Sequence, residues 1–378
     1  MGWAIYYHID CGKAAILRCV GDGSPLTLPE SIAGCPVTSL GPDCFGSGGA
    51  ETEDRLISTE PSRLPPVSRS GGTLCRISLP DSITSIRDRA FARCGQLRRL
   101  TLPRSLCDLG VRVFDQCGSL EHIELPEGIT ALPDYAFSQC RRLERVTLPS
   151  GMVSLGSHAF YNCVALQALE IPDSVTFVGG GLFMNCKALS RLTLPLGVNL
   201  SVLLSDLSND LDLSVRCPDG VARFFLPGFS YEYEDINAPR MWRTITYGSG
   251  QLYRECFSSR DIDFDLYESY FDLALKQDDL KDTVRIAWYR LRWPYGLGKE
   301  KEIYLSHVTA HCDELLRFLM EQEDEEGLEA MFSLLSLSPE QLDRLSALAS
   351  RWGKVRFVSR ILQARISLGG GADKEFDL

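Results

Sequence analysis

The side chains with reactive chemistry fall into a few patterns. Cys94, Cys117, Cys140, Cys163 and Cys186 recur every 23 residues. A thiol ladder of that kind invites a reading as a metal site. Zinc motifs, however, set their ligands in close pairs, and no C-x-x-C occurs anywhere in the chain. A small, apolar residue buried once per repeat accounts for the column. His307 and His311 stand one helical turn apart and could share a metal. Yet Val308, Thr309 and Ala310 lie between them, without the glutamate of H-E-x-x-H. They read as a helix face. Cys256 and Cys312 are the isolated thiols a nucleophile search would stop at. No G-x-S-x-G, P-loop or G-x-G-x-x-G stands between a strand and a helix. No catalytic residue, metal ligand or cofactor is expected.

Two further columns keep the 23-residue step. One holds Arg76, Arg99, His122, Arg145, Ala168 and Arg191; the other holds Ser78, Thr101, Glu124, Thr147, Glu170 and Thr193. Four arginines stacked at strand spacing repel one another, so packing alone does not select them. The columns read either as a solubilising surface of a repeat protein or, since guanidinium forks suit carboxylates, as a recognition strip for an acidic or carboxylate-bearing partner, which is the functional reading. Its residues are Arg76, Arg99, Thr101, His122, Glu124, Arg145, Thr147, Glu170, Arg191 and Thr193.

The elements that would hold this strip follow from the repeat. Pro80, Pro103, Pro126, Pro149, Pro172 and Pro195 share the period, as do Phe91, Phe114, Phe137, Phe160 and Phe183. Each unit reads C-x-x-L-x-x-L-x-L-P-x-x-[ILV]-x-x-[IL]-x-x-x-x-F. L-x-L is a short strand that puts alternate residues on opposite faces, and the proline ends its ladder. The rest of the unit returns the chain as short helix or extended backbone. One unit cannot bury its own apolar face, so the units stack as a solenoid. Before them, Trp3–Val20 reads as two strands around Cys11-Gly12-Lys13, a hairpin that caps the open edge. From Phe45 to Pro80 the spacing exceeds the template by one period. That excess admits a decayed repeat, but residues 46–73 do not fit the template, and an inserted mobile loop is the favoured expectation.

This pattern resembles the BspA-like (Treponema-type) leucine-rich repeats. They share the L-x-x-L-x-L-P, Ala-Phe and Cys positions, and Leu28–Leu40 is similar to that family's first repeat with its Gly-x-Pro-Val insertion. The resemblance covers about residues 1–216. It implies a leucine-rich repeat fold and a binding role, and its members are largely cell-surface proteins.

Beyond Cys217-Pro218-Asp219-Gly220 the apolar spacing becomes helical. Ile262–Lys276, Leu280–Trp293, Ile303–Met320, Gly327–Leu335, Pro339–Arg351 and Val355–Ala364 carry i, i+3, i+4 patterns. Arg290–Tyr295 reads as the end of one such helix with Trp293 packed inside. The acidic run Glu321–Glu326 reads as a solvated helix end. The expected fold class is an α/β repeat solenoid followed by an all-α helical domain. Its parts are a capping hairpin over 1–27, the solenoid over 28–216, an irregular connection over 217–260, helices over 261–368 and a flexible tail over 369–378.

Whole-chain properties narrow the function classes. The 378 residues are 44% hydrophobic and 24% charged, with net charge −11. That is a folded, acidic protein of about two domains, without a general grip on nucleic acid or anionic membrane. No apolar run reaches the ~18 residues that cross a bilayer. Asp10 interrupts what would be a signal core, so reduced thiols in a cytoplasm are expected. The expected function is non-enzymatic recognition of a protein or other macromolecule through the strand face. The alternative is an enzyme in the helical domain. Helical ligase domains follow leucine-rich repeats in some bacterial effectors, but they carry Cys-x-Asp, whereas Cys312 is followed directly by Asp313.

Overall fold

The computed structural model of the chain describes residues 3–21, 25–46, 55–58, 74–236, 241–259 and 261–369. The expectations for 47–54, 59–73 and 370–378 concern residues outside those described. The chain divides into two compact units, Met1–Arg216 with Phe257–Asp261, and Cys217–Cys256 with Ile262–Leu378.

The first unit is a β-solenoid of about eight turns over residues 14–216. It opens with an antiparallel hairpin, β1 (Ala4–Asp10) and β2 (Lys13–Val20), paired from Ala4–Val20 to Asp10–Lys13. Cys11 and Gly12 turn it with φ of 48° and 73°, the left-handed pair of a type I′ turn. On its other edge β1 pairs antiparallel with Arg55–Ser58. β2 then pairs parallel with Cys35–Leu40, and the solenoid proceeds from there.

Two parallel ladders run along the turns. L-x-L strands form the first: His122–Glu124 pairs with Arg145–Thr147, Ala168–Glu170 with Arg191–Pro195, and the latter with Leu211–Cys217. The return leg is extended and forms the second, through Leu40, Ile86 and Leu109, and again through Leu132, Leu155 and Val178. Leu40 sits directly beside Ile86, so their two turns are immediate neighbours although 46 residues separate them.

Between the ladders lies a column of phenylalanine rings. Phe45, Phe91, Phe114, Phe137, Phe160 and Phe183 are fully buried and stack face to face at 5.0 to 6.0 Å between centroids. Trp3 of β1 closes the column edge-on at 6.5 Å from Phe45. Four of the five column cysteines have a polar task as well as an apolar one. The thiols of Cys117, Cys140, Cys163 and Cys186 donate to the carbonyls of Phe91, Phe114, Phe137 and Phe160 in the preceding turn, at 3.1 to 3.2 Å. Two residues per turn adopt left-handed backbone, Tyr135 and Gln139 for example, at φ of 57° and 58°. That conformation aims their N–H groups at Ser157 and Tyr161 of the next turn, at 3.0 and 2.7 Å, which repays the steric cost. A short helix, α1 (Leu200–Leu204), capped by the Asn199 side chain, precedes the last strand.

In the second unit the stretch expected to be an irregular connection is regular. It holds strands Gly220–Leu226, Ser230–Ile236 and Met241–Tyr247 and helix α2 (Gly250–Glu255). The second and third of these strands form an antiparallel hairpin, Ser230 against Tyr247 through Ile236 against Met241. Phe224-Phe225-Leu226 is a continuous buried run, which masks the alternation a half-exposed strand would show.

Among the described residues eight helices follow: α3 (Phe264–Ser269), α4 (Phe271–Gln277), α5 (Leu280–Arg292), α6 (Lys301–Ala310), α7 (Cys312–Glu321), α8 (Glu325–Leu334), α9 (Pro339–Arg351) and α10 (Val355–Gly369). The two longest expected helices are each broken once, at Tyr270 and at His311, whose φ of −113° leaves the helical region. α10 continues through Leu368 and Gly369, residues expected at the end of the helices and the start of the tail. Ser338 and Gln341 form a capping box at the start of α9, with Pro339 at the first helical position. α7–α8 and α9–α10 are helical hairpins stacked in register, α7 on α9 and α8 on α10. Carboxylates of the first hairpin meet cations of the second at a constant offset of 31 residues: Asp313–Arg344, Glu323–Lys354, Glu325–Arg356 and Glu329–Arg360.

Candidate functional site: the strand face of the solenoid

On the first ladder Leu100, Ile123, Val146, Leu169 and Leu192 point inward and are buried. The residues on either side of each must therefore face outward. Arg76, Arg99, Thr101, His122, Glu124, Arg145, Thr147, Glu170 and Arg191 are exposed, and Thr193 is half-buried. Arg99 bridges to His122, which pairs with Arg145, so two arginines and a histidine occupy successive strands. At ~4.8 Å per strand the two arginines stand ~10 Å apart with the imidazole between them. Glu124 pairs with Thr147 and follows Thr101 in the adjoining row.

These side chains line a concavity of about 720 Å³. Its rim holds Arg99, Thr101, His122, Glu124, Arg145 and Thr147, six of the ten residues of the expected strip. Arg104 lines it too, and the repeat columns had not singled it out. A signal existed: the slot after the repeat proline is Asp81, Arg104, Glu127, Ser150, Asp173 and Leu196, so Arg104 is its single base. Among the described residues no carboxylate pairs with Arg99, Arg104 or Arg145. Three arginines facing one glutamate form a local cationic focus on an acidic chain.

The other four residues of the strip lie outside this concavity. Glu170 is engaged by Arg216 at 2.9 Å, and the same guanidinium reaches Asp173 at 2.5 Å and donates to the carbonyl of Ile171. Arg191 lies beside Asp212 in register. Arg76 and Thr193 are placed on the same face without joining the cluster.

The sites considered for other chemistry are occupied by packing. Burial pushes the Cys256 thiol up to about 12, and burial followed by the Asp313 carboxylate raises Cys312. Both shifts oppose the thiolate a nucleophile needs. His307 is half-buried, shares a 3.1 Å hydrogen bond with the Thr283 hydroxyl, and stands 4.8 Å from the His311 ring. Desolvation, with His311 adding repulsion, lowers His307 to about 4. Among the described residues no group of three or more potential ligands converges on a metal position. Arg290 is fully buried, pairs with buried Glu268 at 2.9 Å and donates to Tyr295 O at 3.0 Å. Trp293, expected inside, is half-buried, with the guanidinium groups of Arg223 and Arg292 at 4.5 and 4.6 Å from its ring. The acidic run Glu321–Glu326 meets cations of its own chain, Lys281, Lys354, Arg356 and Arg360 through Glu321, Glu323 and Glu325, and Arg292 through Asp324. No described helix is long and apolar enough to cross a membrane.

Comparison with known proteins agrees with the repeat. Residues 70–190 match the BspA type leucine rich repeat region in six copies. Among solved structures the chain is similar to a leucine rich repeat protein of Treponema pallidum, at 24% identity over 52% of this chain and 71% of that one, with a TM-score of 0.33. It is also similar to a leucine rich cell surface protein of Faecalibacterium prausnitzii, at 22% identity over 58% of each chain, with a TM-score of 0.38. The chain therefore spans little more than half of that protein's length. No curated protein matches it significantly. The repeated spacing, the solenoid and the six-copy match make residues 70–190 a BspA type leucine rich repeat region, carried in one chain with a C-terminal helical region.

Proposed function

We propose that the protein is a non-enzymatic binding module, and that it recognises a macromolecule presenting carboxylates to the concavity around Arg99, His122 and Arg145. The observation that carries this reading is the set of unpaired arginines lining a concave surface. By contrast Arg89 and Arg87, on the return leg of the turns, are tied to Asp43 and Asp108. Glu124, in the row beside the cations, disfavours a uniform polyanion such as nucleic acid. It suits a chain that offers an acid beside a hydrogen-bond donor, as an acidic polypeptide does. The raised thiols of Cys256 and Cys312 speak against the ligase-like alternative. A reduced, cytoplasmic setting belongs to the proposal and is tested through the thiols below.

The test is the double variant Arg99→Ser, Arg145→Ser, with a glutamate-rich peptide as probe. These exposed positions should change stability by no more than ~0.5 kcal/mol. Binding should weaken by ~1–3 kcal/mol, and added salt should weaken the wild type more than the variant. Undiminished binding by a folded double variant at low salt sinks the proposal.

A further inference from the structure

We infer that the ligand of the strand-face concavity is a polyproline II segment with a carboxylate at every third residue; the inference rests on the reading of that concavity as the binding site. Along the column Arg99, Arg145 and Arg191 stand on alternate strands, with His122 and Ala168 on the strands between. At ~4.8 Å per strand their guanidinium groups recur every ~10 Å. A partner chain laid across the strands must carry its acids at that stride and on one side. A β-strand does not, because its same-side residues recur at ~6.7 and ~13 Å. An α-helix brings a residue back to the same face after seven, ~10.5 Å further on. Polyproline II has three residues per turn and rises ~3.1 Å per residue, so every third side chain points the same way ~9.3 Å further on. Both the helix and the polyproline chain therefore fit the stride.

Hydrogen bonding separates the two. The concavity is lined by donors, the guanidinium groups of Arg99, Arg104 and Arg145 and the hydroxyls of Thr101 and Thr147, with Glu124 as its one carboxylate. Neither hydroxyl is bonded to a described residue, and the three arginines have no acid. A wall of donors calls for acceptors. Proline has no N–H, and a polyproline II backbone makes no internal hydrogen bonds, so its carbonyls stay free to accept. The carbonyls along an α-helix are already used within it. With three residues per turn, one of the two residues between successive acids turns toward the row of Thr101, Glu124 and Thr147. A lysine there meets Glu124, and the remaining residue faces solvent.

The experiment titrates the full chain with three synthetic peptides of equal length and net charge. The first sets glutamate at every third position of a proline frame. The second carries the same residues with glutamates at alternate and fourth positions. The third sets glutamates seven apart on an alanine-rich helical frame. The first should bind at least about tenfold more tightly than either of the others. His122→Arg with Arg145→His keeps the same side chains but brings two guanidinium groups onto adjacent strands. Both positions are exposed, so the circular dichroism spectrum and thermal midpoint should not move, while the preference for the first peptide should disappear. Equal binding of the three peptides, tighter binding of the second or third, or a folded exchange variant that keeps the preference overturns the inference. If Arg99→Ser with Arg145→Ser still weakens binding in those cases, the acidic-partner reading stands without it. If none of the peptides binds, or binding ignores Arg99→Ser with Arg145→Ser, that reading falls and the inference falls with it.

Discussion

At the scale of the residue, repetition turns small effects into a fold. Phe137 is fully buried between Phe114 and Phe160, at 5.2 and 5.7 Å. Phe137→Ala should cost ~3–5 kcal/mol, read as a lowered urea midpoint, because stacked turns on either side cannot collapse into the void. His307 gives a test of opposite character. Its folded value of about 4 lies below that of an unfolded chain, so the unfolded state takes up a proton first as pH falls. Stability should be complete above about pH 6.5 and decline between there and about pH 4. A shift of that size corresponds to ~3 kcal/mol, and solvent screening at a half-buried ring reduces it to ~1–2 kcal/mol. His307→Gln keeps a partner for Thr283 and should flatten that part of the stability–pH profile. An unchanged slope in the variant would show that the imidazole is not its source.

At the scale of the element, the approach of one turn to the next is the limiting distance. A Cβ on Gly156 would lie 2.5 Å from the backbone nitrogen of Asp134 in the preceding turn, whereas one on Gly151 would meet nothing within 4 Å. Gly156→Ala should therefore separate two turns and destabilise by at least ~1–3 kcal/mol, while Gly151→Ala should stay within ~0.5 kcal/mol. Equal midpoints for the two variants in chemical denaturation would refute this. The same contrast explains what was legible beforehand. Positions that do the same job in every turn, such as the Leu, Pro, Phe and Cys columns, write their period into the sequence, and the strand face could be read from the residues between them. The α5–α10 pattern was legible because each helix buries one face. Contacts made once were not. Arg216 reaches Glu170 from two turns away, Arg104 joins the concavity from a turn rather than a strand, and 220–226 hides its strand in a doubly buried run. The hydrogen bonds of the cysteine column belong to the same class, because spacing records that a small residue is needed and not that its proton is used.

At the scale of the whole molecule, the cysteines report on setting and cohesion together. No disulfide joins any two of the fourteen in the structure; Cys11, Cys75 and Cys107 are exposed, Cys35 and Cys217 are half-buried, and the rest are buried. Attack on a disulfide reagent requires thiolate, and burial acts against it twice, by blocking access and by raising the thiol. Burial holds Cys140 and Cys163 well above the ordinary range, and Cys186 up to about 12. The native protein should therefore react with an aromatic disulfide at neutral pH in two classes. The fast class should be no larger than the five solvent-touching thiols, and the slow class should appear at the rate at which the solenoid opens. Denatured without reductant, the protein should yield all fourteen; a count well short of that would mean disulfides and would end the proposal of a reduced setting. Stacked repeats gain stability from their neighbours, so a weakness in one turn spreads along the column. Phe137→Ala should consequently speed the slow class as a whole while leaving the amplitude of the fast class unchanged. Acceleration confined to a single thiol would show that the turns open one at a time.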